Sequence, residues 1–307
     1  MKDYCFCVEE EYEGVRLDKG ISLMLEGEFS RSFLSGVIKE GKVFVNNIPQ
    51  KASYSLKEGD QISFELPDNM LPDILPQDMN LDILYEDDDV IVINKPKNMV
   101  VHPANGHYSD TMVNGLMYHC RDSLSGINGV MRPGIVHRID KNTTGSVIAC
   151  KNDAAHRAIA GQLADHSLNR RYRAICIGNI EKDDITIDVP IGRDDKDKLK
   201  MSTHSKSAKR AVTHVHVLER FKGYTYVECR LETGRTHQIR VHMASIGKPL
   251  LGDEMYGGKG PFKLEGQCLH AYILGFIHPV SGEYIETVAP LPEYFENLLK
   301  KLRNVVK

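Results

Sequence analysis

An acidic, proline-interrupted stretch divides this chain. Between Glu65 and Val90 lie nine acidic residues and no lysine or arginine, and three prolines interrupt the first half. Proline removes a backbone donor and disfavours helix in the residue before it, so residues 67–80 are predicted to form an extended linker. The linker leaves an N-terminal segment, 1–66, and a C-terminal segment, 81–307, each of which we expect to bury its own core.

The composition is that of a globular protein. The formal net charge is −3, with 41% hydrophobic and 26% charged residues, which excludes disordered, collagen-like and coiled-coil chains. No apolar run approaches the roughly 20 residues that span a bilayer, and the N-terminus has no signal-peptide core. Seven cysteines without a CxxC pair predict reduced thiols rather than a disulfide framework or a metal site. We therefore expect a cytoplasmic protein with no membrane attachment.

The N-terminal segment has a helix–helix–strand order. Apolar residues at helical spacing predict one helix over 15–25 and a second around 33–38, with Ser30 as its N-cap and Gly41 as its end. Residues 42–47 predict a strand and a turn, and residues 61–65 alternate with the period of a strand. These elements alone fit any small α+β module.

Four short stretches of this segment together resemble an S4 RNA-binding domain. They are Arg16-Leu17-Asp18, Ser30-Arg31, the run 41–46 and the run 56–62. In that family the second helix and the following turn present basic side chains to structured RNA, a role that the resemblance transfers to Arg16, Arg31, Lys39 and Lys42. Residues 11–66 hold seven basic and nine acidic residues, so RNA could bind only at a localised basic face. A purely structural appendage is the alternative.

Strands dominate the C-terminal segment. Apolar and alternating runs predict seven strands, at 90–93, 145–150, 172–177, 213–218, 224–231, 273–277 and 284–288. Helices are predicted over 153–166, with Asp153 as the cap, and over 291–306. Consecutive strands at hairpin-like spacing favour a mixed, largely antiparallel sheet over a doubly wound one. The predicted fold class is α+β, with helices flanking the sheet.

One loop places an aspartate beside two side chains that can be cationic. Within Gly134–Ala149, Asp140 follows His137 and Arg138 and precedes a buried strand, which suits an ionised carboxylate held in place. A single loop aspartate is more often an Asx-turn or a helix cap, so this pattern alone does not establish catalysis. The chain has no GxSxG, Walker or GxGxxG motif, and its 13 histidines lack metal-ligand spacing. We expect no metal centre.

Several motifs of the C-terminal segment resemble those of the RluA family of RNA pseudouridine synthases. The matching motifs are Asn94-Lys95-Pro96, Val101-His102-Pro103, the loop 134–145, Arg171-Tyr172-Arg173-Ala174, the run 231–242 and the run 252–257. They follow the family's order over about residues 82–290, and an S4 domain in front is the expected companion. The LETGRTHQIRVH run together with HRxD makes the resemblance specific, and the ribosomal large-subunit type is the most similar.

The resemblance implies an isomerase that needs neither cofactor nor metal. In this family the glycosidic C1′–N1 bond of uridine breaks, the uracil turns within the pocket, and C5 bonds to C1′. Asp140 is the implied nucleophile, because a carboxylate can attack or stabilise an electron-poor sugar carbon. Arg235 is the implied arginine that pairs with this carboxylate and keeps it ionised and oriented. A surface salt bridge is the other interpretation of Arg235.

Three further residues receive site roles from the resemblance. Tyr172 is the implied active-site tyrosine, whose ring can stack on uracil and whose hydroxyl can relay the C5 proton, although its strand also fits an ordinary core tyrosine. Arg138 can occupy the place that a flipped base leaves, or can contact a phosphate. Ile239 can pack against the uracil. The loop is expected to be shaped by His137, Thr143, Thr144 and Gly145.

The chain departs from the family pattern at three positions. Ile139 replaces the common leucine and Thr144 the common serine, and both changes preserve volume or the hydroxyl group. Asn98 stands where many relatives carry glycine after Asn-Lys-Pro. Asparagine is the residue that best replaces glycine in a left-handed conformation, so we expect the turn to survive.

Two classes of function follow from the sequence. An RNA-modifying isomerase is favoured, because Asp140, Tyr172 and Arg235 occur together; a non-catalytic RNA-binding or ribosome-assembly factor with the same fold is the alternative. A hydrolase that used His137 and Asp140 would lack an oxyanion turn and a nucleophilic serine or cysteine. The favoured substrate is 23S ribosomal RNA, with tRNA as the alternative, and we expect a monomer.

Basic residues concentrate where the site is expected. Residues 131–176 hold eight basic and three acidic residues, and residues 193–210 hold seven basic and three acidic ones. The acidic stretch offsets both groups, so the small net charge does not argue against RNA. We expect salt-sensitive RNA binding that is confined to one face.

Overall fold

A computed structural model describes residues 2–25, 31–66, 74–103, 109–121, 123–127, 132–197 and 199–304. Backbone contacts divide the chain into two units, Met1–Met79 with His102–Ile135 (unit 1) and Asn80–Val101 with Val136–Lys307 (unit 2). The predicted cap Ser30 and residues 67–73 of the predicted linker lie outside the described residues. Residues 74–80 form neither helix nor strand.

Unit 1 contains an antiparallel sheet of four strands in the order β1-β4-β2-β3. The strands are β1 (Lys2–Cys7), β2 (Val43–Val45), β3 (Ile48–Pro49) and β4 (Gln61–Leu66). The turn between β2 and β3 places Asn46 and Asn47 at positive φ, the geometry of a tight hairpin. Strand β1 was not predicted; it pairs Tyr4 with Phe64, whose ring centroids lie 4.8 Å apart.

Two helices of unit 1, α1 (Leu17–Met24) and α2 (Arg31–Lys39), confirm the two predicted from apolar spacing. Their apolar residues and those of the sheet share one core. Its buried members include Leu17, Ile21, Leu34, Val37, Ile62 and Phe64.

Residues 102–135 contain a helix that was not predicted, α3 (Met112–Cys120). Thr111 caps it in a reciprocal capping box with Asn114. The Asn114 side chain donates to the Leu75 carbonyl at 2.9 Å, and its carbonyl accepts from the Gln77 amide at 3.0 Å. These hydrogen bonds connect Leu75 and Gln77 of unit 1 to α3, and so help to join residues 102–135 to that unit.

The main sheet of unit 2 has the order β5-β6-β7-β14-β8-β13-β12-β9, with β15 also paired to β14. Within the described chain, β7 and β14 pair in parallel and the other pairings are antiparallel. The seven predicted strands are confirmed, and four further strands are present. The strands are β5 (Ile83–Glu86), β6 (Val90–Lys95), β7 (Thr144–Cys150), β8 (Asn169–Ile177), β9 (Asp184–Asp188), β10 (Gly192–Arg193), β11 (Met201–Ser202), β12 (Val212–Phe221), β13 (Tyr224–Leu231), β14 (Leu269–Ile277) and β15 (Tyr284–Val288).

Unit 2 carries three α-helices, α4 (Asp153–Ala164), α5 (Gln238–Ser245) and α6 (Glu293–Asn304). The prediction of Asp153 as the cap of α4 is wrong, because Asn152 accepts a 2.9 Å bond from the Ala155 amide and Asp153 is the first helical residue. Helix α4 packs on one apolar cluster of the sheet and α6 on another. Among the described residues, no helix has the length and apolarity needed to cross a membrane.

The acidic stretch of the sequence is partly built into unit 2. Asp87 lies in the turn between β5 and β6, where its Oδ1 accepts from the Asp89 and Val90 amides at 2.8 Å each. Its Oδ2 accepts from the Tyr85 hydroxyl at 2.6 Å, and Asp82 accepts from the Asn94 side chain at 2.8 Å. These carboxylates hold a hairpin in shape.

Candidate active site

Asp140 lies in the loop that enters β7, on the wall of a small cavity. The loop turns through a 3.0 Å bond from the Thr143 amide to the Asp140 carbonyl, and the Asp140 side chain is 20% exposed. Oδ2 accepts from Nη1 of Arg240 at 2.9 Å, and Oδ1 is 3.8 Å from Nε2 of His237. Arg138, Ile139, Tyr172, Leu231, Arg235, Ile239 and Leu269 also line the cavity, whose volume is about 60 Å³.

The sheet brings Asp140 and Tyr172 to the same cavity. Strand β14 pairs with β7 on one side and with β8 on the other, so that Ala271 lies opposite both Gly145 and Tyr172. Gly145 has φ +106°, and a Cβ there would overlap the Ala271 backbone. The glycine of the predicted loop is therefore required for the close parallel pairing that positions Asp140.

Arg240, rather than Arg235, pairs with Asp140. The Arg240 side chain is 8% exposed and binds two carboxylates at once. Its Nε and Nη2 donate to Asp253 at 2.7 and 2.9 Å, and its Nη1 donates to Asp140. Burial would lower the pKa of Arg240, but the bonds to Asp253 and the charge of Asp140 raise it above its ordinary value. Arg240 is therefore a fixed cation that orients Asp140.

The backbone at His237 explains why Arg240 takes this place. His237 caps α5 in the left-handed region at φ +56°, and its Nδ1 lies 2.8 Å from the Tyr256 hydroxyl. The turn starts the helix at Gln238 and puts Arg240 in its first turn. The Arg240 guanidinium also lies over the Tyr256 ring, 5.1 Å from its centroid.

The prediction that Arg235 pairs with Asp140 is wrong. The Arg235 side chain is directed elsewhere: its Nε donates to the Arg210 carbonyl at 3.1 Å. Its backbone amide donates to the Gln238 side chain at 2.9 Å. Arg235 is exposed and lines the cavity wall, so its side chain can contact a molecule that enters the cavity.

Tyr172 lies on β8 with its side chain in the cavity. The residue is 8% exposed. Burial raises the pKa of its hydroxyl, the charge of Arg170 opposes that rise, and the charge of Asp140 adds to it. The hydroxyl is therefore held in its protonated form and can donate a hydrogen bond.

Lys95 belongs to the Asn-Lys-Pro motif. Its side chain is fully buried and contacts the loop that contains Asp140. Its Nζ donates to the carbonyls of Pro96, Met99 and Lys141 at 2.8, 2.9 and 3.1 Å. Burial lowers the pKa of Lys95 to about 7, against the opposing charge of Asp140. Lys95 joins the turn 96–99 to the residue that follows Asp140.

Replacing Lys95 by methionine should change how stability depends on pH. Because the pKa of Lys95 is lower in the folded protein, the unfolded chain binds more protons, and the free energy of unfolding rises with pH between about 7 and 10.5. In that window, the free energy of unfolding of wild type should rise by up to about 1.4 kcal/mol per pH unit more than that of Lys95→Met. Urea denaturation at several pH values measures the difference, with the exposed Lys141→Met as the control that should follow wild type. Parallel curves for wild type and Lys95→Met would contradict the lowered pKa.

Other residues of the predicted loop and pocket lie near the cavity. Arg138 is exposed at its rim and Ile239 is buried in its wall. Asn98 adopts φ +65°, which confirms the predicted left-handed turn, and its side chain donates to Glu265 at 2.7 Å. Nε2 of His137 accepts from the Ile148 amide at 3.1 Å, so His137 fastens the loop to β7.

The four predicted RNA-contacting residues of unit 1 have different surroundings. Arg16 and Arg31 both bind the buried Asp18 carboxylate, each at 3.0 Å. Burial would raise the pKa of Asp18, but these two guanidinium groups hold it below its ordinary value. Lys39 is exposed, and Lys42 pairs with Glu40 at 2.7 Å. Arg16 and Arg31 thus share one acceptor and one location.

One group of described side chains has the donor types of a metal site, namely Asp87, Asp89 and His278. Nδ1 of His278 accepts from the Val280 and Ser281 amides at 3.3 and 3.1 Å. Its Nε2 therefore carries the proton and donates to Asp87 at 2.8 Å. The group is a hydrogen-bonded link between two turns of unit 2.

Comparisons with known proteins agree with these features. A family model described as RNA pseudouridylate synthase matches residues 89–245, and a model of the S4 domain matches residues 15–62. An uncharacterized RNA pseudouridine synthase of Bacillus subtilis is 53% identical over 294 residues, which cover 96% of each chain. A protein of Zymomonas mobilis named ribosomal large subunit pseudouridine synthase D is 43% identical over 304 residues, 95% of each chain.

Solved structures share the fold over about three-quarters of the chain. Human RNA pseudouridylate synthase domain containing 1 superimposes with a TM-score of 0.57 at 24% identity, covering 74% of this chain and 96% of its own. Human RNA pseudouridylate synthase domain containing 4 gives a TM-score of 0.56 at 26% identity, covering 72% and 93%. The predicted α+β fold with an N-terminal S4 domain is thereby confirmed. With half of its length matched by the family model and near-complete alignment to the relatives, this chain belongs to the family of RNA pseudouridine synthases, the isomerases that convert uridine in RNA to pseudouridine.

Proposed function

We propose that this protein isomerises specific uridines of 23S ribosomal RNA in the cytoplasm, with Asp140 as the nucleophile. The choice of RNA is supported by the relatives named for the ribosomal large subunit, which align over nearly the whole chain. The observation that carries the catalytic proposal is the Asp140 carboxylate, held on one oxygen by the buried Arg240 and lining a cavity together with Tyr172.

Asp140 has the arrangement that attack on a sugar carbon requires. Arg240 occupies Oδ2, and Oδ1 makes no hydrogen bond to any described residue. A fixed cation at the first oxygen restricts the rotation of the carboxylate, so the second oxygen can approach C1′ of the uridine as N1 leaves. The freed uracil then turns, and C5 bonds to C1′ as the bond between C1′ and the Asp140 oxygen breaks, which restores the carboxylate.

The last step needs a group that handles the proton on C5. Tyr172 shares the cavity with Asp140, and its hydroxyl stays protonated because burial raises its pKa, so it can take the C5 proton only as it passes its own proton on towards N1, which gains one in the product. Its ring can stack on the uracil, while Ile239 offers an apolar surface to the base. Arg138, exposed at the rim, can occupy the space that the flipped nucleotide leaves in the RNA.

Tyr172→Phe should slow product formation without weakening RNA binding. The substitution keeps the ring and removes the hydroxyl that relays the C5 proton. We expect kcat to fall about 100-fold or more, with the Kd for RNA within about threefold of wild type. Tyr226→Phe, which removes a hydroxyl from the same sheet outside the cavity, is the matched control. Wild-type kcat in Tyr172→Phe would remove the tyrosine from the mechanism.

The S4 domain offers a basic place for RNA contact outside the catalytic cavity. Arg16 and Arg31 meet at Asp18, and their side chains are about half exposed, at 50% and 52%. Each retains donors that can reach phosphate oxygens. We propose that this pair, together with the exposed Lys39 and with Lys42, docks structured RNA.

Mapping pseudouridine in cellular RNA tests the choice of substrate. Carbodiimide labelling followed by reverse transcription marks each pseudouridine as a stop. In cells that lack the gene, we expect one or more stops to disappear from 23S ribosomal RNA and to return when the gene is restored. Loss of stops from tRNA alone would refute the ribosomal substrate while leaving the reaction in place.

A further inference from the structure

A second cleft adjoins the catalytic cavity in unit 2. Its volume is about 580 Å³, and it shares Arg138, Tyr172 and Arg235 with the cavity around Asp140. Among the described residues, its lining includes three arginines and two histidines but no aspartate or glutamate. A cleft of this composition favours an anionic occupant.

Arg170 is the buried cation of this cleft. It lies on β8 two residues before Tyr172, on the same face of the strand, and is 6% exposed. Its Nε is buried without a hydrogen-bond partner. Within the part of the chain that the structure describes, no carboxylate forms an ion pair with Arg170. Buried arginines are normally paired with a carboxylate. Because Arg170 has no such partner, an anionic ligand would stabilise it.

The neighbours of Arg170 do not supply that charge. Burial and, to a lesser extent, the charge of Arg170 lower the pKa of His137 to about 3, so His137 is neutral. Tyr172 is neutral as well, because burial raises its pKa. The two titratable side chains whose pKa responds to Arg170 thus leave its charge uncompensated.

Gly234 gives the guanidinium its room. A Cβ at this position would lie 2.6 Å from Nη1 of Arg170, closer than real Cβ contacts allow. Gly234 has no left-handed φ, so an alanine there would act through Arg170 rather than through backbone strain. The glycine of the Thr-Gly-Arg-Thr turn keeps space for Arg170 at the wall of the cleft.

We infer that Arg170 binds a backbone phosphate of the RNA, next to the uridine that enters the cavity of Asp140. This inference rests on the proposed function. Phosphate is the anionic group that RNA carries, and guanidinium matches its geometry with paired hydrogen bonds. A nucleotide flipped into the cavity brings its flanking phosphates to the cavity entrance, where the shared residues Arg138 and Arg235 lie. Arg170 therefore holds the RNA backbone in the position that presents C1′ to Asp140.

A cycle of protein and RNA changes tests the inference. The substrate is a short RNA hairpin with a mapped target uridine, made with a neutral methylphosphonate at the phosphate 5′ or 3′ to that uridine. At one of the two positions, wild type should lose about 10- to 100-fold in kcat/KM, the loss expected for one charged hydrogen-bonded contact. On the normal RNA, the kcat/KM of Arg170→Gln should be lower than that of wild type by a similar factor. Changing to the neutral RNA should then lower the kcat/KM of Arg170→Gln by less than about threefold more. The inference would be wrong if the losses in kcat/KM caused by Arg170→Gln and by the neutral linkage multiplied at both positions. It would also be wrong if Arg170→Gln kept wild-type activity.

Three controls separate this outcome from other failures. Arg171→Gln removes the neighbouring charge on the opposite strand face, where Arg171 pairs with Glu228, and should remain fully sensitive to the neutral linkage. Gly234→Ala keeps every charge but displaces Arg170. If Arg170→Gln does not fold, Gly234→Ala takes its place in the cycle. If wild type fails to convert the normal hairpin, the proposed function fails. If it converts the hairpin and the losses multiply, only the phosphate contact is wrong.

Discussion

Asp140→Asn is expected to abolish pseudouridine formation while leaving the protein folded and able to bind RNA. Asparagine has nearly the size of aspartate but no negative charge, so it can neither attack C1′ nor stabilise positive charge there. We expect kcat to fall at least about 1,000-fold. Purified protein and RNA labelled with tritium at C5 of uridine measure the loss directly, because C5 releases its hydrogen when it bonds to C1′.

The exposed Asp88→Asn is the matched control for this prediction, since it makes the same chemical change outside the cavity. It should retain the wild-type rate. Tritium release by Asp140→Asn at more than about a tenth of the wild-type rate would remove Asp140 from the role of nucleophile.

Arg240→Lys should also have a large effect on the reaction. Lysine keeps the charge but cannot bind Asp253 through two nitrogens while a third holds Asp140. We expect kcat to fall about 100-fold, because Asp140 loses its orientation. Arg240→Met, which leaves the buried Asp253 unpaired, should also lower the free energy of unfolding by about 3–5 kcal/mol.

Arg235→Lys distinguishes the two arginines of this segment. Arg235 lines the cavity without contacting Asp140, so its replacement should act mainly on KM. A control for the exchange itself is Arg230→Lys, at an exposed position on β13. A larger loss of kcat in Arg235→Lys than in Arg240→Lys would contradict the geometry and favour the pairing predicted from the sequence.

The sequence predicted those parts of the fold whose signals are local. Strands β13 and β15 occur at the predicted residues, because alternation and β-branched residues mark a half-buried strand. Strand β1 was missed because its partner β4 lies about 60 residues further along the chain, and six residues alone do not reveal that pairing. Helix α3 was missed because its buried face is apolar without a strong period.

Local patterns predicted the site less completely than the fold. Asp140 and Tyr172 were predicted from motifs, and the structure brings them to one cavity through β14. The partner of Asp140 was misassigned because Arg235 and Arg240 belong to the same short motif. Their separation depends on the left-handed turn at His237 and on the distant Asp253. A side chain that bridges two acids more than 100 residues apart has no local signature.

The most direct measurement of the central claim is a pseudouridine map of ribosomal RNA from cells that carry only the Asp140→Asn form of the gene. The claim is that this chain modifies 23S ribosomal RNA and that Asp140 performs the chemistry. We expect the stops lost on gene deletion to return with the wild-type gene and with Asp88→Asn, but not with Asp140→Asn expressed at the same level. Full return of those stops with Asp140→Asn would contradict the account.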